Sequence, residues 1–323
     1  MTVTKSTPEG SQLISHLTAV SRGHVRLDHA PRLPLAPGHV RVRVAYVGIC
    51  HSDTAMVREG QGPFPARLGH EVSGIISESE DPKLPQGTRV AAYISDGYAT
   101  EVQVPSERII PLHPGCSLAD AALSEPLACA IGGVEMLDLA GTPHAVLVGA
   151  GFMGLLALRL MVCRGLPVTV VEPRKRTRDL AISWGAEAAL APEEIPESML
   201  ADNPLVVEAT GSPGGLELAT SLAGIAGTLG ILGYHQSGRG LRTVDMEAWN
   251  YRALRVLSLH HRSTGDVMRW MDRAQRLSAN RVVVPSELVD RHVPLSELPE
   301  LFMNGEKRDT VKSLLDLTSG VPE

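Results

Sequence analysis

Residues 39–47 read HVRVRVAYV, apolar and polar in alternation, the period of a strand with one face covered. Further short apolar runs follow at 69–78, 87–94 and 98–105, separated by glycine, proline and aspartate. This pattern predicts a β-rich region ending near residue 126. From Ser124 the period lengthens, and LACAIGGVEMLDLA has the spacing of a helix. Then come the short run AVLV, the glycine turn GAGFMG and the apolar helix LLALRLMVC. PVTVV, RDLAISWGA, LVVEAT, LELATSLA and GTLGILGY continue the alternation of strand and helix. Such alternation predicts a parallel sheet with helices on both faces. From about residue 283 the strand, turn and short helix of VVVPSELVDRHVPLSELPELF are expected to return to the first domain. The predicted fold class is therefore α/β, with domains at 1–126 and 127–282 and a returning segment at 283–323.

Two domains also suit the length, since 323 residues exceed what one core usually serves. The formal net charge of -6 gives no global basic field, which argues against a nucleic-acid partner. The apolar stretch 145–163 approaches the length of a membrane span, but it holds three glycines and Arg159. Strand, turn and helix describe it better, and no membrane association is expected. The N-terminal MTVTKSTPEG is polar and lacks the apolar core of a signal peptide. Cysteines at 50, 116, 129 and 163 show no close pairing, which predicts a reducing, cytoplasmic setting.

The turn Gly149-Ala150-Gly151-Phe152-Met153-Gly154 directly follows a strand and opens a helix. That context gives a GxGxxG pattern its meaning. Gly149 permits the tight turn, Gly151 a close approach of backbone to a pyrophosphate, and Gly154 the packing of helix on strand. The helix N-terminus adds unpaired N–H groups and partial positive charge. Glu172, at the end of the next strand, is placed to accept the hydroxyls of an adenosine ribose and to repel a 2′-phosphate. NAD is expected in preference to NADP. Arg174 or Arg178, in the basic run that follows, would hold a phosphate only if Glu172 turned away.

Candidate metal donors lie farther apart. Cys50, in GICHSD, has no second cysteine within sixty residues. His70 and Glu71 follow a glycine, and Glu125 sits where the two patterns meet. Thiolate, imidazole and carboxylate all suit zinc, and three protein ligands leave one position for substrate. A thiolate and a carboxylate would offset the ion's two charges beside a neutral histidine. Asp53 is placed to orient a ligand such as His70. By spacing alone, a packed cysteine, a turn histidine and a helix-capping glutamate account for these residues equally well.

GICHSD, GHEVSG, LSEPLACA, GAGFMG and LVVEATGSP stand in the order found in medium-chain, zinc-dependent alcohol and polyol dehydrogenases, and the likeness runs from PLAPGHVRVRV to DTVKSLLDL. The chain resembles the sorbitol-like branch of that family. The resemblance implies a GroES-like β-rich catalytic domain, a Rossmann domain, a cleft between them and a tail that rejoins the catalytic domain. It implies Cys50 and His70 as catalytic zinc ligands, and Glu71 as an acid able to approach or displace a ligand. Glu125 matches the glutamate used where alcohol dehydrogenases place a cysteine. Ser52 matches the hydroxyl that begins a proton relay, although Ala55 stands where a histidine often continues it.

The cofactor candidates on this resemblance are Gly149, Gly151, Phe152, Met153, Gly154, Glu172, Arg178, Thr210 and Gly233. No CxxCxxC spacing occurs, so one catalytic zinc and no structural zinc are expected. His260 and His261 fall near the last Rossmann strand's approach to the nicotinamide, and Tyr234 and His235 replace the usual turn residues before it. The implied activity is reversible oxidation of a secondary alcohol (a polyol, sugar or cyclitol) to a ketone, in a homodimer or homotetramer joined through an edge of the Rossmann sheet. Two other readings are a zinc-free NAD(P)H-dependent reductase of the same fold and a nonenzymatic NAD-binding protein.

Overall fold

The computed structural model describes residues 13–307 and 309–319; MTVTKSTPEG lies outside them. The chain forms two compact units. One runs to Leu112 and takes back His292–Gly305 and the residues from Leu314 onward. The other comprises His113–Arg291 and Glu306–Ser313.

The first unit is built on antiparallel strands. His39–Ile49 pairs with Glu71–Ser79 on one side, and with Glu101–Pro105 over its first half. Val40, Val42, Val44 and Val47 are buried, and they join Leu17, Val72, Ile76, Tyr98, Phe302 and Leu315 in one apolar core. Arg41 occupies a polar position of the alternation. It is nevertheless 1% exposed. Its guanidinium donates to Glu78 at 2.8 Å and to the Leu33 carbonyl at 2.7 Å, and lies 3.4 Å from Glu101. Both faces of the strand are thus covered, and the buried charge is matched by two carboxylates.

The register of this hairpin positions the chemistry. Gly48 is paired with Glu71, so Cys50 leaves one strand where His70 enters the other. The helix His51–Glu59 then begins at once, carrying Ser52 and Asp53 in its first turn.

The second unit holds a six-stranded sheet whose strand-to-strand pairings are parallel. Its order is Ala188–Leu190, Val168–Val171, Ala145–Val148, Asn203–Glu208, Ala223–Ile231 and Arg255–Ser258. The first strand in sequence lies centrally and the order reverses beside it, which is the doubly wound topology expected from the alternation. The long apolar stretch resolves into strand Ala145–Val148, a turn and helix Phe152–Val162. Among the described residues no helix is long and apolar enough to cross a membrane.

Candidate functional site

Cys50, His70 and Glu71 are the group of three His, Cys, Asp or Glu donors among the described residues that could hold a metal ion, with donor atoms within 4.8 Å of one another. An ion held tetrahedrally at about 2.0–2.3 Å needs donors roughly 3.5 Å apart, within reach of small side-chain rotations. Glu71 is buried, while Cys50 and His70 are half-buried, so the cluster is open on one side. Gly48 makes room for it. A Cβ there would stand 1.7 Å from Glu71 Oε2.

Around these donors lies a second layer. The Ser52 hydroxyl donates to Cys50 Sγ at 3.1 Å. Asp53 Oδ1 lies 3.4 Å from His70 Nδ1. Burial works against a charged imidazole, but the negative Cys50 and Asp53 outweigh it and hold His70 well above the ordinary histidine value. The same field would attract a metal cation.

Tyr98 is a residue that the sequence reading missed. Its hydroxyl donates to Asp53 Oδ2 at 2.8 Å and accepts from the Cys50 backbone N–H at 3.4 Å. Burial, then the negative charges of Asp53, Cys50 and Glu71, push the phenol far above its usual pKa, so it remains a donor. Phe302 packs edge-on against its ring at 5.5 Å. One hydroxyl therefore fixes both the Cys50 backbone and the carboxylate facing His70. Tyr98→Phe is expected to weaken zinc binding about tenfold, because outer partners of a ligating histidine typically carry that much affinity. Competition titration with a chelating dye measures it. Unchanged affinity would leave Tyr98 a packing residue only.

Glu125 belongs to the second unit, on helix Ser124–Glu135, where Cys129 Sγ lies 3.4 Å from its Oε1. His261 is packed against Trp270, with ring centroids 4.4 Å apart, and its Nε2 lies 3.3 Å from the Gly132 carbonyl. His260 meets the Tyr234 ring at 5.6 Å. His235 bridges two charges: Nε2 lies 3.0 Å from Glu208, and Nδ1 accepts from Arg242 Nε at 2.8 Å. Arginine can only donate, so the proton of a neutral His235 sits on Nε2.

The glycine turn occupies the carboxyl end of the first parallel strand. Gly149 has φ +99°, and a Cβ there would come within 2.6 Å of Thr210 Cγ2. Gly151 caps the helix that starts at Phe152, with Met153 and Gly154 in its first turn. Thr210 and Gly211 donate their N–H groups to Glu208 Oε1 at 2.7 and 2.8 Å, and Gly233 N–H donates to the Glu208 carbonyl at 2.9 Å. The last of these ties the ends of neighbouring strands together. Glu172 is 3% exposed, and its Oε2 accepts from Ala150 N–H at 2.9 Å. Arg178 donates to the Glu172 and Pro173 carbonyls, both at 2.8 Å. A second missed residue, Lys312, lies with Nζ 4.6 Å from the centre of the Phe152 ring. No nearby motif marked it, because it reaches the turn from more than 150 residues away in sequence.

The chain thus comprises a β-rich unit carrying a Cys-His-Glu donor cluster and a doubly wound unit with a glycine turn of the dinucleotide-binding kind. The sequence profile described as "Alcohol dehydrogenase GroES-like domain" matches residues 36–124. D-altritol 5-dehydrogenase of Agrobacterium fabrum is 26% identical, over 88% of this chain and 93% of that one. Galactitol 1-phosphate 5-dehydrogenase of Escherichia coli is 28% identical, over 60% and 67%. A dehydrogenase from Sinorhizobium meliloti, solved with NADP bound, superposes with TM-score 0.83 at 23% identity, over 94% and 99%; that likeness concerns the fold. Over most of its length the chain is similar to zinc-type alcohol and polyol dehydrogenases, and its first unit matches their GroES-like domain.

Proposed function

We propose that the chain is a zinc-dependent dehydrogenase that exchanges a hydride between a secondary alcohol and a nicotinamide dinucleotide, giving a ketone. The observation that carries this reading is the convergence of Cys50, His70 and Glu71 donors within 4.8 Å. Those three residues would hold the ion, one per chain, with Glu71 as the third donor rather than Glu125. A zinc ion, when bound, supplies a Lewis acid that lowers the pKa of an alcohol hydroxyl. The dinucleotide supplies the hydride acceptor.

The rest falls to the chain's own side chains. Cys50 as thiolate and Glu71 as carboxylate would balance the ion's charge, and His70 would give up its proton to ligate as a neutral imidazole. Asp53, held by Tyr98, keeps His70 Nδ1 turned toward itself and leaves Nε2 for the metal. The Ser52 hydroxyl, against Cys50, would accept the alcohol's proton as it releases its own to solvent water, since Ala55 has no group to continue a relay. Gly151 offers its backbone N–H at a helix start for the pyrophosphate, while Gly149, whose N–H is held by the Val171 carbonyl at 2.9 Å, supplies the turn; Lys312 adds positive charge beside Phe152. Glu172 at the end of the second strand favours NAD, whereas the Sinorhizobium neighbour holds NADP. The choice turns on how Glu172 is engaged.

The relatives named for D-altritol and galactitol 1-phosphate favour a polyol substrate. Ile225 and Tyr251, 75% and 84% exposed beside the edge strand Arg255–Ser258, support homo-oligomers joined along that edge. A panel of polyols and secondary alcohols, run with NAD and with NADP beside metal analysis of the same protein, tests the reading. We expect about one zinc per chain and turnover of at least one polyol. Full activity in zinc-free protein, or no turnover across the panel, would overturn it.

A further inference from the structure

We propose that the cleft bounded by Arg159, Trp184 and Arg281 in the second unit is a binding site for a small oxyanion, a phosphate or carboxylate group. It is independent of the metal and dinucleotide readings above.

The cleft has a volume of about 110 Å³ and is lined by Arg159, Ser183, Trp184, Glu287 and the segment 281–284. Three helices end there. Arg159 lies in the last turn of helix Phe152–Val162, Ser183 closes helix Lys175–Ser183, and Arg281 follows helix Thr264–Ala279. The third helix ends in a left-handed residue, Arg281 with φ +55°, where glycine is usual. Val282 N–H donates back to the Leu277 carbonyl at 2.9 Å, and the Val282 carbonyl accepts from Arg159 Nε at 3.0 Å. A guanidinium is planar, so that one bond sets its plane and leaves the edge formed by its two terminal nitrogens. Among the described residues neither terminal nitrogen of this half-buried arginine has a hydrogen bond or an ion pair. That edge matches the paired oxygens of a carboxylate or phosphate.

Trp184 supplies a second, separate observation. The chain has three tryptophans. Trp249 donates its indole N–H to Thr220 Oγ1 at 3.2 Å, and Trp270 donates to Glu135 Oε2 at 2.9 Å. Trp184 is 9% exposed, yet its indole N–H has no acceptor among the described residues. A donor taken from water without a partner costs stability, and an oxyanion in the cleft that Trp184 lines would provide one.

Charge agrees. Two arginines against Glu287 leave the lining one net positive charge, and Glu287 is already engaged by Arg281 at 2.7 Å. The partial negative charge at a helix end works against an anion. Here the last carbonyls of helix Lys175–Ser183 already accept the N–H groups of Trp184, Gly185 and Ala186, so they do not compete for the guanidinium edge.

The test follows the three indole N–H signals of the whole protein by heteronuclear NMR, assigned through Trp249→Phe and Trp270→Phe. Inorganic phosphate and acetate are titrated separately, with chloride holding the ionic strength constant. The Trp184 signal should move saturably with at least one of them, with a dissociation constant of about 1 mM or below. Arg159→Gln should weaken that binding about tenfold or more, through loss of a charge-assisted pair of hydrogen bonds. Arg281→Ala, at an exposed side chain, should weaken it about two- to fivefold, and it decides the matter if Arg159→Gln does not fold. No saturable movement up to roughly 50 mM overturns the proposal. So does the same movement with chloride alone, or unchanged affinity in the arginine variants. A response that NADH abolishes would place the anion at the glycine turn, and that too overturns it.

Discussion

Cys50→Ala protein is expected to lose its bound zinc and to oxidise secondary alcohols about 10³-fold more slowly than wild type, or worse. The thiolate is one of two negative donors in the cluster, and its removal leaves His70 and Glu71 to hold a doubly charged ion. Lewis-acid stabilisation of developing alkoxide charge is worth several kcal/mol, and each 1.36 kcal/mol is about tenfold in rate. The fold should survive. Cys50 is only half-buried, and it follows rather than belongs to the strand His39–Ile49. Metal content, circular dichroism and steady-state rates measured on one preparation separate the outcomes. Metal-free, folded protein with wild-type turnover would point to a zinc-free reductase of the same fold. Folded protein that retains its zinc would move the metal claim away from Cys50.

Much of the fold was legible because the second unit's signals are local. Each buried strand is a short run such as AVLV or VTVV, and each helix after it is long enough to show its period. GAGFMG gained meaning from the strand before it and the helix after it. The first unit yielded less. Arg41 broke the expected alternation because its partners, Glu78 and Glu101, come from other strands. No periodicity in one strand can announce what covers its far face. The donors Cys50, His70 and Glu71 could be named from residue type and resemblance, but their meeting depends on the pairing of Gly48 with Glu71. Register is a long-range property, and sequence spacing does not contain it.

Tyr98 escaped for a similar reason. It is one of five tyrosines in a chain with 3% aromatic residues, and it stands in the motif-free stretch SDGYATEV. Its one signal was general: a tyrosine in a strand-rich region, once buried, needs a partner for its hydroxyl. Glu172 shows the opposite case. Its position was read correctly as the end of a strand, yet what its carboxylate does depends on Arg174 two residues later, and a motif rule carries no account of that neighbour.

Gly48→Ala should disable the metal site without touching a ligand. A Cβ at this position would lie 1.7 Å from Glu71 Oε2 and 2.7 Å from its Cδ, well inside contact distance. Glu71 is 1% exposed, so its carboxylate has no solvent into which it can swing. Either the carboxylate leaves the donor cluster or the two strands part at the Gly48–Glu71 pair. Overpacking of this kind costs about 1–3 kcal/mol, which for a protein of this size lowers the melting temperature by roughly 2–4 °C per kcal/mol. Zinc affinity should fall about 10–100-fold, as it does when a ligand's immediate support is removed. A second substitution distinguishes strain from ligand loss. In the Gly48→Ala, Glu71→Ala double variant the new methyl fits the space that the carboxylate leaves. Its stability should exceed that of Gly48→Ala alone, with the two substitutions strongly non-additive. Its zinc affinity should stay low, because the donor itself is gone. Zinc binding by Gly48→Ala as tight as wild type would show that Glu71 is not a ligand, and the third donor would have to be sought elsewhere.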